Sequence, residues 1–139
     1  MLIIRVPLIP GFSQIFIGDG RTGPEADVPE WDNESENRGY AASRSTVLVA
    51  TGDRSDYVVV DVLNEVPAPD AIVLFTATLR LRTLVVSPPD EVPTRPVLFL
   101  PDEADWRTVI TVDSSESENI RRIFVHLPEL ADPRLPDGL

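Results

Sequence analysis

The chain reads as an all-β domain, a single antiparallel β-sandwich of about 8–9 strands carrying a long acidic loop, and three observations predict this. Short runs of alternating or β-branched residues recur at spacings of roughly 8–12 residues, with turn signals between them. The 14 prolines and 7 glycines fall between those runs, and the apolar residues are mostly Val, Leu and Ile, as strands require. A length of 139 residues at 42% hydrophobic content is enough for one domain around one continuous core. That domain spans 1–139, with the Pro-rich end 128–139 expected to fray.

The first strand is residues 2–8, where Leu2, Ile4, Val6 and Leu8 alternate with Ile3, Arg5 and Pro7. Pro7 suits a sheet edge, because it has no amide to donate to a second neighbour. After the Pro10-Gly11 turn, FSQIFI at 12–17 reads as a second strand, closed by Gly18-Asp19-Gly20, and these two strands are candidates to pair. Residues 19–38 form an acidic connection too long to be a structureless link in a small domain unless it has a function. Within it Asp32 or Asn33 can cap one helical turn over 33–37, with Glu34 and Glu36 near its positive end and Gly39 stopping it.

STVLVAT at 45–51 and YVVVDVL at 57–63, separated by TGDRSD, have the spacing of a hairpin. Val58, Val60 and Val62 make one apolar face, and Asp61 predicts that the opposite face is at least partly wet. The clearest alternation sets Ala71, Val73, Phe75, Ala77, Leu79 and Leu81 against Thr76, Thr78, Arg80 and Arg82. Beyond Thr83, LVVSPP is either a separate strand or the continuation of one long bent strand passing between two sheets. PVLFL at 96–100, WRTVITV at 106–112 and IRRIFVHL at 120–127 complete the set, divided by the acidic turns PDEAD and DSSESEN.

Charge and composition narrow the function. A net charge of −11 disfavours direct contact with nucleic acid, whose phosphates call for clustered cations, and favours a basic protein partner. With no cysteine the chain has no disulfide, thiolate metal site or cysteine nucleophile, which suits a cytoplasmic protein. The apolar start is broken by Arg5 and by prolines, so it reads as a strand and not a leader, and no stretch approaches a membrane span. Every basic residue is Arg; without Lys there is no phosphate-binding GxxxxGK[ST] loop and no Ser-Lys chemistry. The lone His126, ending a strand, reads as a surface or rim residue. Segment 19–32 fails the EF-hand spacing. The chain is therefore read as a non-enzyme with no cofactor and no metal.

The unusual stretch is PEADVPEWDNESENRGYAA, Pro24 to Ala42. Glu25, Asp27, Glu30, Asp32, Glu34 and Glu36 follow one another without a base until Arg38, around a single indole, Trp31. Acids in such a run commonly form no more than a solvated face. An indole in a loop is either docked as an anchor or offered to a partner. The spacing W-x-x-E-x-x-x-x-G-Y-A-A, over Trp31, Glu34, Gly39, Tyr40, Ala41 and Ala42, resembles the competence protein J family, and the likeness extends to Gln14-Ile15-Phe16 and to the strands ending near Leu63.

Members of that family are small acidic inhibitors of a competence-associated DNA-entry nuclease. The resemblance implies inhibition by binding, without catalysis, the partner being a basic nuclease. On this basis Glu25, Asp27, Glu30, Trp31, Asp32, Glu34 and Glu36 are the candidate partner-binding residues, and Trp31, Gly39 and Tyr40 the candidate loop anchors. A rigid row of carboxylates suits the basic cleft that a DNA-degrading enzyme presents, and pre-ordering the row lowers the entropy lost on binding. Asp53 and Asp56, and Asp102, Glu103 and Asp105, are candidate extensions of the surface, while Trp106 reads as core. Two alternatives belong to other classes: a ligand- or divalent-cation-binding β-sandwich, and an assembly protein associating through the apolar edge 2–8.

Overall fold

Eight strands and one short helix carry the computed structural model, which describes residues 1–20, 27–89, 96–131 and 133. In chain order they are β1 (Leu2–Leu8), β2 (Gln14–Gly18), α1 (Asn33–Arg38), β3 (Tyr40–Ala42), β4 (Thr46–Ala50), β5 (Val58–Leu63), β6 (Ile72–Ser87), β7 (Leu98–Val112) and β8 (Arg122–His126). They form one hydrogen-bonded sheet in the order β1-β5-β8-β7-β6-β2-β4-β3. The all-β class is as expected.

The long-bent-strand alternative is the one adopted. β6 pairs with β7 from Ile72 to Leu84 and with β2 from Val85 to Ser87, so a single strand belongs to both halves of the sheet. At the crossing point the register slips between Leu81 and Thr83, where Arg82 alone faces the stretch between Phe99 and Ala104. The buried Asp19 fastens this bulge: its Oδ1 accepts from the amides of Arg82 at 2.8 Å and Thr83 at 3.1 Å. Inside the fold, Ile15, Ile17, Val47 and Val49 of one half meet Val58, Val60, Val62, Ile110 and Ile123 of the other in one continuous core. Alternation along each strand sends these side chains to one face, and their burial is the main stabilising term.

Several pairings differ from the sequence expectation. β1 lies at an edge, but it pairs with β5, while β2 pairs with β4 and β6. β4 and β5 do not form a hairpin. Their link is fastened to a 3-10 turn at Ser117–Asn119, because the Arg54 guanidinium donates to the carbonyls of Glu118 and Ile120. Gly52, at φ +71°, passes so close to Glu118 that a Cβ would fall 2.8 Å from its Cα. The link thus carries the chain across the fold instead of turning it back. β5 runs parallel to β8, so the sheet is mixed and not purely antiparallel.

PDEAD is not a turn between strands; it lies within the continuous β7, at the bulge opposite Arg82. The face bearing Asp61 is partly wet, as expected, with Val59 and Leu63 half-buried on it, while Asp61 itself is 3% exposed beneath Arg5 and Arg122. At the C-terminal end Leu127 and Leu130 are buried and Asn64 Nδ2 donates to the Leu130 carbonyl at 3.1 Å, so the chain is docked that far. Most of the segment expected to fray, 132 and 134–139, lies outside the described residues.

Candidate partner-binding site

Strands β2, β3 and β4 bury their outer face as well as their inner one, and what covers that outer face is the acidic segment. Phe16, Ala41, Leu48 and Val85 form a second, smaller cluster there, with Trp31 packed over it. The Trp31 indole Nε1 donates to Gln14 Oε1 at 2.7 Å, so the ring is held by apolar contact beneath and a hydrogen bond at its polar edge. Asp27 fastens the start of the segment: its Oδ2 accepts from the Ser45 amide at 3.2 Å, and the Ser43 hydroxyl donates to its carbonyl at 2.6 Å.

Helix α1 follows at once. Asp32 is its N-cap, its Oδ1 accepting from the Ser35 amide at 2.8 Å while Ser35 Oγ accepts from the Asp32 amide at 2.7 Å. The Ser35 amide, and next the Ser35 hydroxyl, donate to the Asp32 carboxylate and hold it below its ordinary range. Gly39 ends the helix in the left-handed region at φ +85°, where its amide donates to the Ser35 carbonyl at 3.0 Å. Tyr40 then enters β3 with its ring edge-on to Phe75, centroids 5.6 Å apart, and with the Arg38 guanidinium over it at 4.3 Å.

The segment's acids therefore divide. Asp27 and Asp32 serve the fold, and Glu34 sits 3.8 Å from Arg38 across one helical turn with its side chain 84% exposed. Glu30 and Glu36 are exposed and make no hydrogen bond or ion pair through their carboxylates among the described residues. Glu25 lies outside the described residues. The acids near the β7 bulge form a separate group, with Arg80 near Glu103 at 3.5 Å and Asp105 at 3.8 Å. Trp106 there is partly buried against the main core, its Nε1 donating to the Asp102 carbonyl at 3.1 Å.

The sequence pattern puts Phe12 in a strand, and the structure puts it in a turn. Gly11 and Gln14 exchange backbone hydrogen bonds at 3.2 and 3.1 Å around a two-residue loop of Phe12 and Ser13, whose φ values are +53° and +62°. Both central residues at positive φ is the arrangement of a type I′ turn, ordinarily filled by Asn-Gly. Each non-glycine residue held this way costs about 1–2 kcal/mol. Phe12 is nonetheless 78% exposed. Its ring walls a cleft of about 340 Å³ whose other residues are Ser13, Gln14, Trp31, Glu36 and Ala50. Phe-Ser carries no turn signature, so only the preceding Pro10-Gly11 hints at this loop.

His126 is another correction. It is 6% exposed, with Nε2 3.0 Å from Thr111 Oγ1 and Nδ1 3.1 Å from the Glu65 carbonyl. Because a carbonyl only accepts, Nδ1 carries the proton and Nε2 accepts from the hydroxyl. Burial lowers the ring's pKa, which keeps it neutral as a core hydrogen-bonding residue. Among the described residues no group of three His, Asp or Glu side chains is placed to hold a metal ion, and no helix is long and apolar enough to cross a membrane.

No protein-family model matches the chain, and no curated protein matches it in sequence. A solved structure does match: ComJ from Bacillus subtilis, described as an inhibitor of the DNA-degrading activity of NucA. The TM-score is 0.62 at 13% identity, over 91% of this chain and 95% of that one. The fold is that of ComJ. The match spans nearly the whole of both chains, so it extends beyond the N-terminal half in which the motif spacing lies.

Proposed function

We propose that this chain is a non-catalytic inhibitor of a DNA-degrading enzyme, binding the enzyme's basic surface through the acidic segment. The observation that carries the reading is the way the segment is held. Asp27, Trp31, Asp32 and Gly39 fix its backbone against β2, β3 and β4, while Glu30, Glu34 and Glu36 point their charge outward from that fixed frame. A backbone ordered before the encounter leaves only side-chain entropy to lose on binding, and a net charge of −11 speeds approach to a cationic cleft. The ComJ fold supports the same role, since ComJ inhibits the nuclease NucA.

The division among the acids chooses the test. Glu30, Glu34 and Glu36 are changed together to Lys, and Asp32 is left alone because it caps α1. Degradation of plasmid DNA is then measured with a nuclease encoded beside the gene for this chain, and with NucA. The native chain suppresses degradation, less so as salt rises. The triple variant loses at least about tenfold in inhibitory strength while its melting temperature stays close to the parent's. Unchanged inhibition in the variant removes the segment from the mechanism; no inhibition of either enzyme by the native chain removes the inhibitor reading.

A further inference from the structure

The cleft beside the acidic segment has a composition that its own neighbours do not satisfy. One wall is Phe12, an exposed aromatic ring carried on a turn at positive φ. Trp31 and Glu36 also line it, and none of the lining residues is basic. Gln14, also in the lining, has its Oε1 already occupied by the Trp31 N–H. Aromatic rings beside a carboxylate without an ion-pair partner among the described residues form a receptor for an organic cation.

The chain makes the same combination internally a short distance along the segment. Arg38 lies over the Tyr40 ring at 4.3 Å and within 3.8 Å of Glu34. In the cleft, the ring and the carboxylate are present and the guanidinium is missing from the lining.

We propose that the cleft seats an arginine side chain of the basic partner, the guanidinium stacking on Phe12 and Trp31 and pairing with Glu36. This rests on the inhibitor reading and adds where the contact is made and with what. Arginine is favoured over lysine because a planar, weakly hydrated guanidinium can lie flat on a ring and still present N–H groups at its edge to a carboxylate. A hydrophobic ring held exposed on an unfavourable backbone is also what a binding surface needs, since a strained turn persists where the ring it displays is useful.

The test uses the full chain and three short peptides, acetyl-Gly-X-Gly-amide with X as arginine, lysine or citrulline, followed by the indole N–H resonance of Trp31 in NMR titrations. The arginine peptide gives a saturable shift, the lysine peptide binds about tenfold more weakly, and the uncharged citrulline peptide gives none. Phe12→Asn and Glu36→Gln each weaken arginine binding by about fivefold or more. Asn tolerates positive φ, so Phe12→Asn is expected to fold at least as well as the parent, and lost binding in it is not lost structure.

An equal response to citrulline, equal affinity for lysine, binding unchanged in both variants, or shifts confined to the residues around Asp102 and Asp105 would each overturn the assignment. The two readings separate in the nuclease assay. Full inhibition retained by Phe12→Asn removes the cleft and leaves the inhibitor. Arginine binding without inhibition of any nuclease keeps the cleft as a cation site and removes the inhibitor.

Discussion

The two outer faces of this sheet are closed by opposite means. On the β2–β3–β4 half an apolar cluster is covered by Trp31 and the segment that carries it, so the cover is a piece of chain whose far side is free to display charge. On the β1–β5–β8 half the cover is electrostatic. Asp61 is buried under Arg5, whose Nε donates to Oδ1 at 2.7 Å and whose Nη2 donates to Oδ2 at 3.1 Å, and under Arg122, which donates to the same Oδ2. These arginines are themselves 54% and 43% exposed, so this face ends in one carboxylate shared by two cations, with a positive charge in excess. The difference bears on which face a basic partner of the proposed kind would meet. A face whose acid is already paired with two bases offers a basic partner little, whereas the face covered by Trp31 leaves Glu30 and Glu36 without internal partners among the described residues.

The largest effect that would break this contrast is expected from Trp31→Ala. It uncovers Phe16, Leu48 and Val85 and is expected to cost about 3 kcal/mol, less than for a fully buried indole because Trp31 is partly exposed. Denaturant unfolding measures the loss, and a dye that binds exposed apolar surface is expected to report the uncovered cluster. A loss below about 0.5 kcal/mol would mean that the segment does not cover the sheet.

On the opposite face, Asp61→Asn is expected to cost about 2 kcal/mol at neutral pH, since both arginines reach solvent when their acceptor is removed. The hydrogen bond from Arg5 chiefly holds the Asp61 carboxyl below its usual range. The native state then binds fewer protons at this site than the unfolded chain, so the stabilisation is complete above about pH 4 and is lost as pH falls through the lower folded value. Melting temperatures from neutral pH down to that range are expected to fall less steeply in the variant than in the parent. Parallel curves would mean that the Asp61 carboxyl has the same pKa in the folded and unfolded chains.

Asp32→Ala separates the frame from the charge it displays. It removes the N-cap of α1 for about 1 kcal/mol, read by thermal unfolding, and loosens the backbone that carries Glu34 and Glu36. A smaller effect of opposite sign is expected from Phe12→Asn, which relieves a positive φ and stabilises by roughly 0.5–1 kcal/mol in the same measurement. If that variant is instead less stable than the parent, the Phe12 ring contributes packing that its 78% exposure does not suggest.

Some of this architecture is legible in the amino-acid sequence because its causes are local. The two-residue alternation marks the strands, Pro7 marks an edge, and the Asp32 cap with the Gly39 stop frames one helical turn whose observed span is Asn33–Arg38. A cap, a period and a left-handed glycine act within a few residues, so sequence order is enough to read them. Which strands pair is a different kind of fact. Nothing near β4 announces that the chain crosses to the other half before β5, because the crossing is held by Arg54 bonding carbonyls more than sixty residues further on. The same holds for the acidic run in β7, which reads as a turn until β6 runs antiparallel along both sides of the bulge.

The candidate site divides along the same line. By itself the sequence determined an all-β chain with an excess of negative charge concentrated around one tryptophan, and those follow from composition and spacing. Tertiary structure decided which acids are spent on holding the segment and which stay exposed. It also decided that Phe12 stands on a turn beside Trp31 and Glu36. The reason is physical: a carboxylate's role is fixed by what lies within about 3 Å of it, and for Asp19, Asp27 and Asp61 those neighbours are brought by parts of the chain distant in sequence.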